Sequence, residues 1–279
     1  IQILYMSTNL QLRKFDMRTI KDDKVVVFIG KRETGKSFLV RDMLYHHQDI
    51  PIGTVISGTE GANAFYSKMF PSLFIHSEYT PGTVNNFMKR QKLVVNEMNK
   101  EVAQYGNSDV DPRAVIILDD CLYDNSWTKD KNVRSLFMNG RHYKTMFLIT
   151  MQYCLGIPPN LRTNVDFVFI LREPYVSNRK RLYEQYAGMF PTFEVFCQVM
   201  DQCTEDFECL VINNNAKSNK LEEMVFWYKA SDHSEFTLGA PEFWEHHNNN
   251  YNSTFGEEDT DFEISGSKKH PINVKKLYE

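Results

Sequence analysis

The sequence predicts an α/β fold with a mostly parallel central sheet and helices packed on both of its faces. Short apolar runs rich in β-branched residues recur along the chain, and such runs are typical of strands buried on both faces. Longer segments with apolar residues at helical spacing separate these runs, and this alternation is typical of a parallel sheet. The predicted strands are 25–29, 53–57, 73–77, 114–118, 145–150, 167–171, 208–212 and 224–228.

The predicted helices lie between these strands, and the longest carries one apolar face over about 83–105. The other predicted helices begin near Ser37 and Ser177 or cover 127–141 and 192–202. Residues 1–247 are therefore predicted to form one core domain, with 1–24 as its lead-in segment. Asparagine runs, an acidic block and lysines then follow, a composition that predicts a flexible, low-complexity tail over 248–279.

Composition limits the classes of function. The net charge of −4 provides no global basic field for nucleic acid, so any contact with a polyanion must be local. The five cysteines include no C-x-x-C pair, which favours a reducing compartment over a disulfide scaffold or a zinc site. No apolar run approaches the ~18 residues of a membrane-spanning helix, so no transmembrane segment is predicted.

The first strand leads into a phosphate-binding loop pattern. Gly30 is followed by four residues and then by Gly35, Lys36 and Ser37, which matches G-x-x-x-x-G-K-[ST]. In that pattern backbone N–H groups cradle phosphate oxygens, the lysine reaches the β- and γ-phosphates, and the serine hydroxyl ligates Mg²⁺. The alternative is a glycine-rich turn with an exposed lysine. The predicted nucleotide-binding residues are Gly30, Lys31, Arg32, Glu33, Thr34, Gly35, Lys36, Ser37 and Phe38.

Two aspartates follow the buried strand 114–118. Asp119 can hold Mg²⁺, directly or through water, if this strand lies beside the phosphate loop. Asp120 can orient and deprotonate the attacking water, a role that a hydrolase needs and a kinase does not. The alternative is that both are solvated acids at the end of a strand.

Two further polar residues are candidates for catalysis. Gln152 follows the strand 145–150, where its amide can contact the γ-phosphate and align the water, or lie idle at a loop edge. Arg141 is a candidate arginine finger, since a guanidinium can neutralise transition-state charge across a subunit boundary. An intramolecular ion pair is equally plausible for Arg141, and the other candidates for the finger are Arg134, Arg162 and Arg172.

Other polar groups receive simpler interpretations. The pairs His46–His47 and His246–His247 are interpreted as surface residues, because adjacent side chains on a helix cannot face one metal. Cys121 is interpreted as a packing residue, since no base is evident near it. Arg179–Arg181, flanked by Tyr175, Tyr183 and Tyr186, has the character of a nucleic-acid contact; a solvated helix start is the alternative.

Together the motifs resemble one family. The segments 30–37, 55–60, 74–76, 116–120, 139–142 and 149–152 occur in the order found in genome-packaging ATPases of nucleocytoplasmic large DNA viruses. These proteins form the giant-virus and poxvirus branch of the FtsK–HerA P-loop motor superfamily, and the resemblance covers about 12–245. It implies a three-layer, RecA-like P-loop NTPase of the additional-strand type, whose subunits form a homo-oligomeric ring around double-stranded DNA.

The resemblance also implies roles and partners. ATP hydrolysis would drive DNA into a capsid, with capsid or inner-membrane packaging components as partners, in the host-cell cytoplasm and in the virion. On matching positions Lys36 and Ser37 would bind phosphate and Mg²⁺, and Asp119 would hold the metal. The base, sensor and finger would be Asp120, Gln152 and Arg141. Many members of the superfamily have Glu at the base position, and the resemblance assigns no role to the matching Glu60.

Two alternatives stay open. A P-loop kinase acting on nucleosides or nucleic-acid ends would use the loop and Asp119 but would leave Asp120 and Gln152 without a role. A non-hydrolysing, ATP-gated assembly protein would bind the nucleotide only to control its oligomeric state.

Overall fold

The computed structural model describes residues 10–120 and 125–252, and its sheet is built from nine strands. Most of the strands are short runs of buried residues, as the sequence predicts, whereas Arg13–Lys14 is exposed and Ile75–His76 is half-buried. The strands are β1 (Arg13–Lys14), β2 (Val25–Ile29), β3 (Gly53–Ser57), β4 (Ile75–His76), β5 (Ala114–Asp119), β6 (Thr145–Met151), β7 (Phe167–Ile170), β8 (Glu208–Asn213) and β9 (Val225–Lys229).

Helices connect the strands. They are α1 (Lys36–Tyr45), α2 (Glu60–Asn63), α3 (Pro81–Tyr105), α4 (Lys131–Asn139), α5 (Pro159–Arg162), α6 (Val176–Tyr186), α7 (Phe193–Cys203), α8 (Leu221–Met224) and α9 (Pro241–Asn250). Short 3-10 turns cover Met17–Thr19, Tyr66–Lys68, Ser72–Phe74, Asn125–Lys129 and Gly140–Tyr143. Within the described ranges, no helix is both long enough and apolar enough to span a bilayer.

The strand order is β1-β9-β8-β7-β2-β6-β5-β3-β4, and β8 alone runs antiparallel to its neighbours among the described strands. The strand β6 therefore lies between β2, which precedes the glycine loop, and β5, which ends in Asp119. This inserted strand is the additional-strand arrangement that the resemblance implies. The predicted α/β fold with a mostly parallel sheet is confirmed.

Helices cover both faces of the sheet, so the molecule has three layers. Along β2, Val25, Val27 and Ile29 face a core shared with α3, α4, α6 and α7, whereas Val26 and Phe28 face a core shared with α1 and α9. This alternation follows from the two-residue period of a strand. Each fully buried valine or phenylalanine stabilises the fold by about 1.5–3 kcal/mol relative to its exposed state. Both faces of the sheet therefore contribute to holding the loop after β2 in place.

Two predicted elements are shorter in the structure. The strand expected over 73–77 is limited to Ile75–His76, because the N–H of Phe74 bonds to the carbonyl of Pro71 and forms a 3-10 turn. The helix expected over 127–141 is divided at Asp130. The Asp130 side chain accepts hydrogen bonds from the N–H groups of Asn132 and Val133, so it caps a new helix there.

The helix α9 is missing from the sequence prediction, because Phe243 and Trp244 are its only large apolar residues and they give no helical period. Phe243 packs into the core beside α1, and the Trp244 indole donates to the Leu238 carbonyl. The helix ends at Asn250, three residues beyond the proposed domain limit at 247. The remaining tail, 253–279, lies outside the described residues, so the domain limits stay a prediction.

The surface interpretation of the histidine pairs is wrong for His47. Its side chain is buried, and its Nδ1 donates to Asp22 at 2.6 Å. His46 is half-buried beside Asp42, whereas His246 is exposed and His247 is half-buried. The interpretation missed that the end of α1 packs under the turn around Asp22, which is distant in sequence. Cys121 lies outside the described residues.

Candidate functional site

The loop between β2 and α1 has the backbone shape of a phosphate cradle. Gly35 has a φ of 102° at the start of α1, a conformation that favours glycine. A Cβ on Gly30 would lie 2.6 Å from Thr34 Oγ1 and 2.9 Å from Leu171 Cβ, so that position has no room for a side chain. The Lys36 ammonium donates to the carbonyls of Gly30 and Lys31 at 2.7 and 2.8 Å. The lysine therefore lies across the loop, with its charge satisfied by the backbone.

Asp119 ends β5 in a nearly closed polar environment. It is 7% exposed, and its two carboxylate oxygens accept hydrogen bonds from Thr150 Oγ1 at 2.7 Å and Ser57 Oγ at 2.9 Å. The register of β3, β5 and β6 produces these contacts, because Ser57 and Thr150 are the residues that pair with Asp119. Burial raises the pKa of Asp119 in spite of these hydrogen bonds. A cation near Asp119 would stabilise its ionised form, which burial disfavours more than the two hydrogen bonds favour it.

Asp120 and Gln152 contact each other at the ends of neighbouring strands. The Gln152 amide donates to Asp120 Oδ2, and the Asp120 N–H donates to Thr150 Oγ1 at 3.0 Å. Asp120 has a φ of 50°, so the chain turns sharply after Asp119 and directs the two carboxylates differently. Thr150 thus bonds both aspartates, which sequence reasoning missed. The only sequence signal for Thr150 was its position at the end of the predicted strand 145–150.

The loop lysine and the two aspartates share one cleft. Burial lowers the pKa of Lys36, while the charges of Asp120 and Asp119 oppose that change. The carboxyl ends of β2, β6 and β5 meet at this edge of the sheet, as expected for parallel strands. The oxygen ligands that Mg²⁺ prefers are available here from Ser37 and Asp119, so the residues present fit the metal.

The segment after β7 supports the loop from the other side. Lys31 forms an ion pair with Glu173 at 3.1 Å, and its ammonium lies 3.5 Å from the centre of the Tyr175 ring. Glu173 is buried and also accepts from the Asn178 amide at 3.1 Å. Sequence reasoning did not identify Glu173. A small crevice between this segment and the loop is lined by Gly30, Gln152 and Glu173 among others.

The basic segment Arg179–Arg181 is partly committed to internal contacts. Arg179 donates to the Glu173 carbonyl at 2.6 Å and pairs with Asp201 at 2.7 Å, which raises its pKa. Arg181 lies over the Tyr153 ring, with the guanidinium carbon 5.5 Å from its centre. Lys180 and Arg181 are both exposed, which fits a solvated helix start and a nucleic-acid contact alike, so the two interpretations stay open.

The four candidate fingers occupy different places. Arg141 is in the 3-10 turn just before β6, at the opposite end of a seven-residue strand from Gln152, and it lines a cavity there with Asp23 and Asp166. Arg162 lies against Tyr186 and bonds to the Ile157 carbonyl. Arg134 is exposed on α4, whereas the exposed Arg172 follows β7 at the edge that carries the loop. Arg141 therefore does not join the cleft of its own subunit.

A glycine loop, its lysine and strand-end aspartates around an inserted strand define a P-loop NTPase of the additional-strand class. No protein-family model matches the chain. It is 38% identical over 272 residues to protein L437 of Acanthamoeba polyphaga mimivirus, with 95% of each chain covered. It is 40% identical over 247 residues to protein 075L of Invertebrate iridescent virus 6, covering 87% of this chain and 92% of that protein. The chain belongs to the family of large-DNA-virus proteins that includes these two.

Solved structures agree with this class. The genome packaging NTPase B204 of Sulfolobus turreted icosahedral virus 2, in complex with AMPPCP, has a TM-score of 0.51 and 15% identity, over 76% of this chain and all of B204 (100%). EssC of Geobacillus thermodenitrificans has a TM-score of 0.50 and 13% identity, over 81% of this chain and 43% of EssC. The predicted relationship to proteins of large DNA viruses is confirmed, and so is the predicted P-loop NTPase fold.

Proposed function

We propose that the protein is an ATP-driven double-stranded DNA translocase that packages a viral genome into the capsid as a homo-oligomeric ring. The observation that carries the proposal is the hydrogen-bonded pair of Asp120 and Gln152 beside the buried Asp119. A kinase needs no second acid to activate water, so this pair favours hydrolysis over phosphate transfer to a substrate. The viral relatives and the B204 likeness support the packaging role.

Each residue of the cleft has a role in this proposal. Lys36 exchanges its two carbonyl partners for phosphate oxygens, and Ser37 and Asp119 hold Mg²⁺. When bound, the metal neutralises charge that develops on the transferred phosphate. Asp120 accepts a proton from the attacking water, while the Gln152 amide keeps that carboxylate oriented.

The ring accounts for the position of Arg141. At the opposite edge of the sheet from the cleft, its guanidinium can reach a nucleotide only on a neighbouring subunit. Contacts with duplex DNA are expected to be local, because the net charge is −4. We further propose contacts with capsid or inner-membrane packaging components, and activity in the host-cell cytoplasm and in the virion.

The test is the rate of ATP hydrolysis with and without long duplex DNA, measured across salt concentrations. We expect DNA to accelerate hydrolysis and salt to reduce this effect steeply, since phosphate contacts release counterions. Lys36→Ala should abolish turnover, whereas the control Lys100→Ala, on the exposed face of α3, should not. ATP-dependent assembly without turnover, or phosphate transfer to a nucleoside or a 5′ end, would overturn the proposal.

A further inference from the structure

The turn before β8 brings an aromatic residue to the phosphate loop. Since β8 runs antiparallel to β7, its first residue lies at the edge where β7 ends and where the loop begins. Phe207 directly precedes β8, and its ring carbon Cδ1 lies 3.5 Å from the place that a Cβ on Gly35 would occupy. The ring is therefore in contact distance of the last residue of the loop, just before α1.

The backbone around Phe207 is strained. Asp206 and Phe207 have φ values of 49° and 65°, two successive residues in the left-handed region. Aspartate tolerates this conformation, but for a bulky aromatic residue it is an outlier that destabilises the backbone. Strain of this kind is concentrated at functional sites. The turn is nonetheless well formed, since the Glu208 N–H bonds to the Glu205 carbonyl at 2.8 Å.

The strained conformation holds the ring in solvent. Phe207 is 65% exposed, although the fold has two apolar cores in which a phenyl ring could be buried. Phe38, in the first turn of α1, is likewise 61% exposed, whereas the next residue, Leu39, is fully buried. The end of the loop is therefore bordered by apolar surface that packing among the described residues does not explain.

We propose that the Phe207 ring is the platform on which the base of the bound nucleotide stacks. The proposal rests on the function proposed above, because it assumes that the triphosphate lies in the loop. Backbone N–H groups of such a loop hold the phosphates, so the ribose and base extend beyond its end, where Phe207 lies. An aromatic face binds any base, and more strongly the larger purines, so ATP and GTP should both bind better than CTP.

The test compares two probes that share the phosphates but not the base. The two probes are AMPPNP and inorganic tripolyphosphate, each titrated calorimetrically in the presence of Mg²⁺. Tripolyphosphate binding reports on the loop alone, whereas AMPPNP binding reports on the loop and the platform together. We expect Phe207→Ala to raise the Kd for AMPPNP about tenfold or more and to leave the Kd for tripolyphosphate unchanged. Phe207→Tyr should bind AMPPNP within about twofold of wild type, as should the control Tyr105→Ala at the exposed end of α3.

Phe207→Gly separates binding from folding. Glycine tolerates a φ of 65°, so this variant should unfold at a temperature no lower than wild type while binding AMPPNP as weakly as Phe207→Ala. Equal losses for AMPPNP and tripolyphosphate, or no loss for either, would overturn the platform. Lys36→Ala should weaken both probes together. If the wild-type protein binds neither AMPPNP nor tripolyphosphate, the proposed function is overturned, and the platform with it.

Discussion

The side-chain amide of Gln152 donates a hydrogen bond to Asp120, which joins the ends of the neighbouring strands β6 and β5. This hydrogen bond fixes the direction of the Asp120 carboxylate. Asp120, the proposed base, is one methylene shorter than the glutamate found at this position in many members of the superfamily that the sequence resembles. Orientation by Gln152 and by the Thr150 hydroxyl, which accepts from the Asp120 N–H, therefore matters more for a short base.

Replacing either member of this pair should reduce turnover without loss of nucleotide binding. We expect Asp120→Asn to lower kcat by about 10²–10⁴, the usual contribution of a general base, and Gln152→Ala to lower it less. The Kd for AMPPNP should stay within about twofold, because neither residue belongs to the phosphate cradle. Gln48→Ala, at an exposed position after α1, is the matched control. Undiminished turnover in Asp120→Asn would show that Asp120 is not the general base.

The Thr150 hydroxyl should determine how well the site holds Mg²⁺. It donates to Asp119 at 2.7 Å, and outer-shell partners of this kind typically change metal affinity 10–100-fold. Thr150→Val keeps the shape of the side chain but removes the hydroxyl. We expect the Mg²⁺ concentration for half-maximal ATPase activity to rise about tenfold, and Thr150→Ser to restore it. An unchanged Mg²⁺ requirement in Thr150→Val would show that the hydroxyl does not orient a metal ligand.

Much of this cleft was predictable because its parts are local in sequence. The glycine loop follows its strand directly, and Asp119 and Asp120 follow theirs, so a parallel sheet places them at one edge. Thr150 and Ser57 were not predictable as partners of Asp119, since their contacts depend on the order and register of β3, β5 and β6. Strand order is set by packing between segments that are distant in sequence.

Residues whose roles depend on a distant segment were misjudged or missed. His47 was interpreted as a surface residue because adjacent histidines cannot face one metal, but its side chain is buried against Asp22. Glu60 matches a family motif without an evident role, and the structure shows its carboxylate accepting from the N–H groups of Tyr66 and Ser67 at 2.8 Å each. Phe207 was missed because its location depends on the antiparallel direction of β8.

A buried carboxylate should anchor the segment after β9 to α1. Asp42 is fully buried and accepts hydrogen bonds from the Tyr228 hydroxyl at 2.5 Å and the Ser231 N–H at 3.2 Å, while its other oxygen faces His233. Asp42→Ala leaves these donors unsatisfied, so we expect the free energy of unfolding to fall by about 2–4 kcal/mol in urea denaturation. The exposed Asp232→Ala should change it by less than about 0.5 kcal/mol. Similar values for the two variants would contradict this anchoring role.

The partners of Asp22 predict a pH dependence of stability. The hydrogen bond from His47 is the largest cause that lowers the pKa of Asp22, and Arg113 adds to it at 2.8 Å. Because the folded-state pKa is below the ordinary value of about 3.9, the stabilisation is present above that pH and is lost as pH falls through the folded-state pKa. Asp22→Asn should therefore lower the free energy of unfolding by about 1 kcal/mol at pH 7. This value is modest because the Asp22 side chain is partly exposed, so water weakens its interactions. The difference from wild type should shrink below about pH 4; a constant difference would contradict the linkage.

Mixed rings should identify the arginine that completes the site. Arg141 lies at the edge of the sheet opposite the cleft, whereas Arg172 lies at the edge of the cleft itself. Alone, Arg141→Ala and Lys36→Ala subunits should each be inactive, since removal of an arginine finger costs about 10³–10⁵ in turnover. In an equal mixture, about a quarter of the interfaces of a head-to-tail ring should pair an intact Lys36 with an intact Arg141, so activity should partly return. Arg134→Ala, which removes an exposed arginine of α4, is the control and should be active alone. If Arg172→Ala is inactive, and only its mixture with Lys36→Ala regains turnover, the finger is Arg172 and the assignment of Arg141 falls.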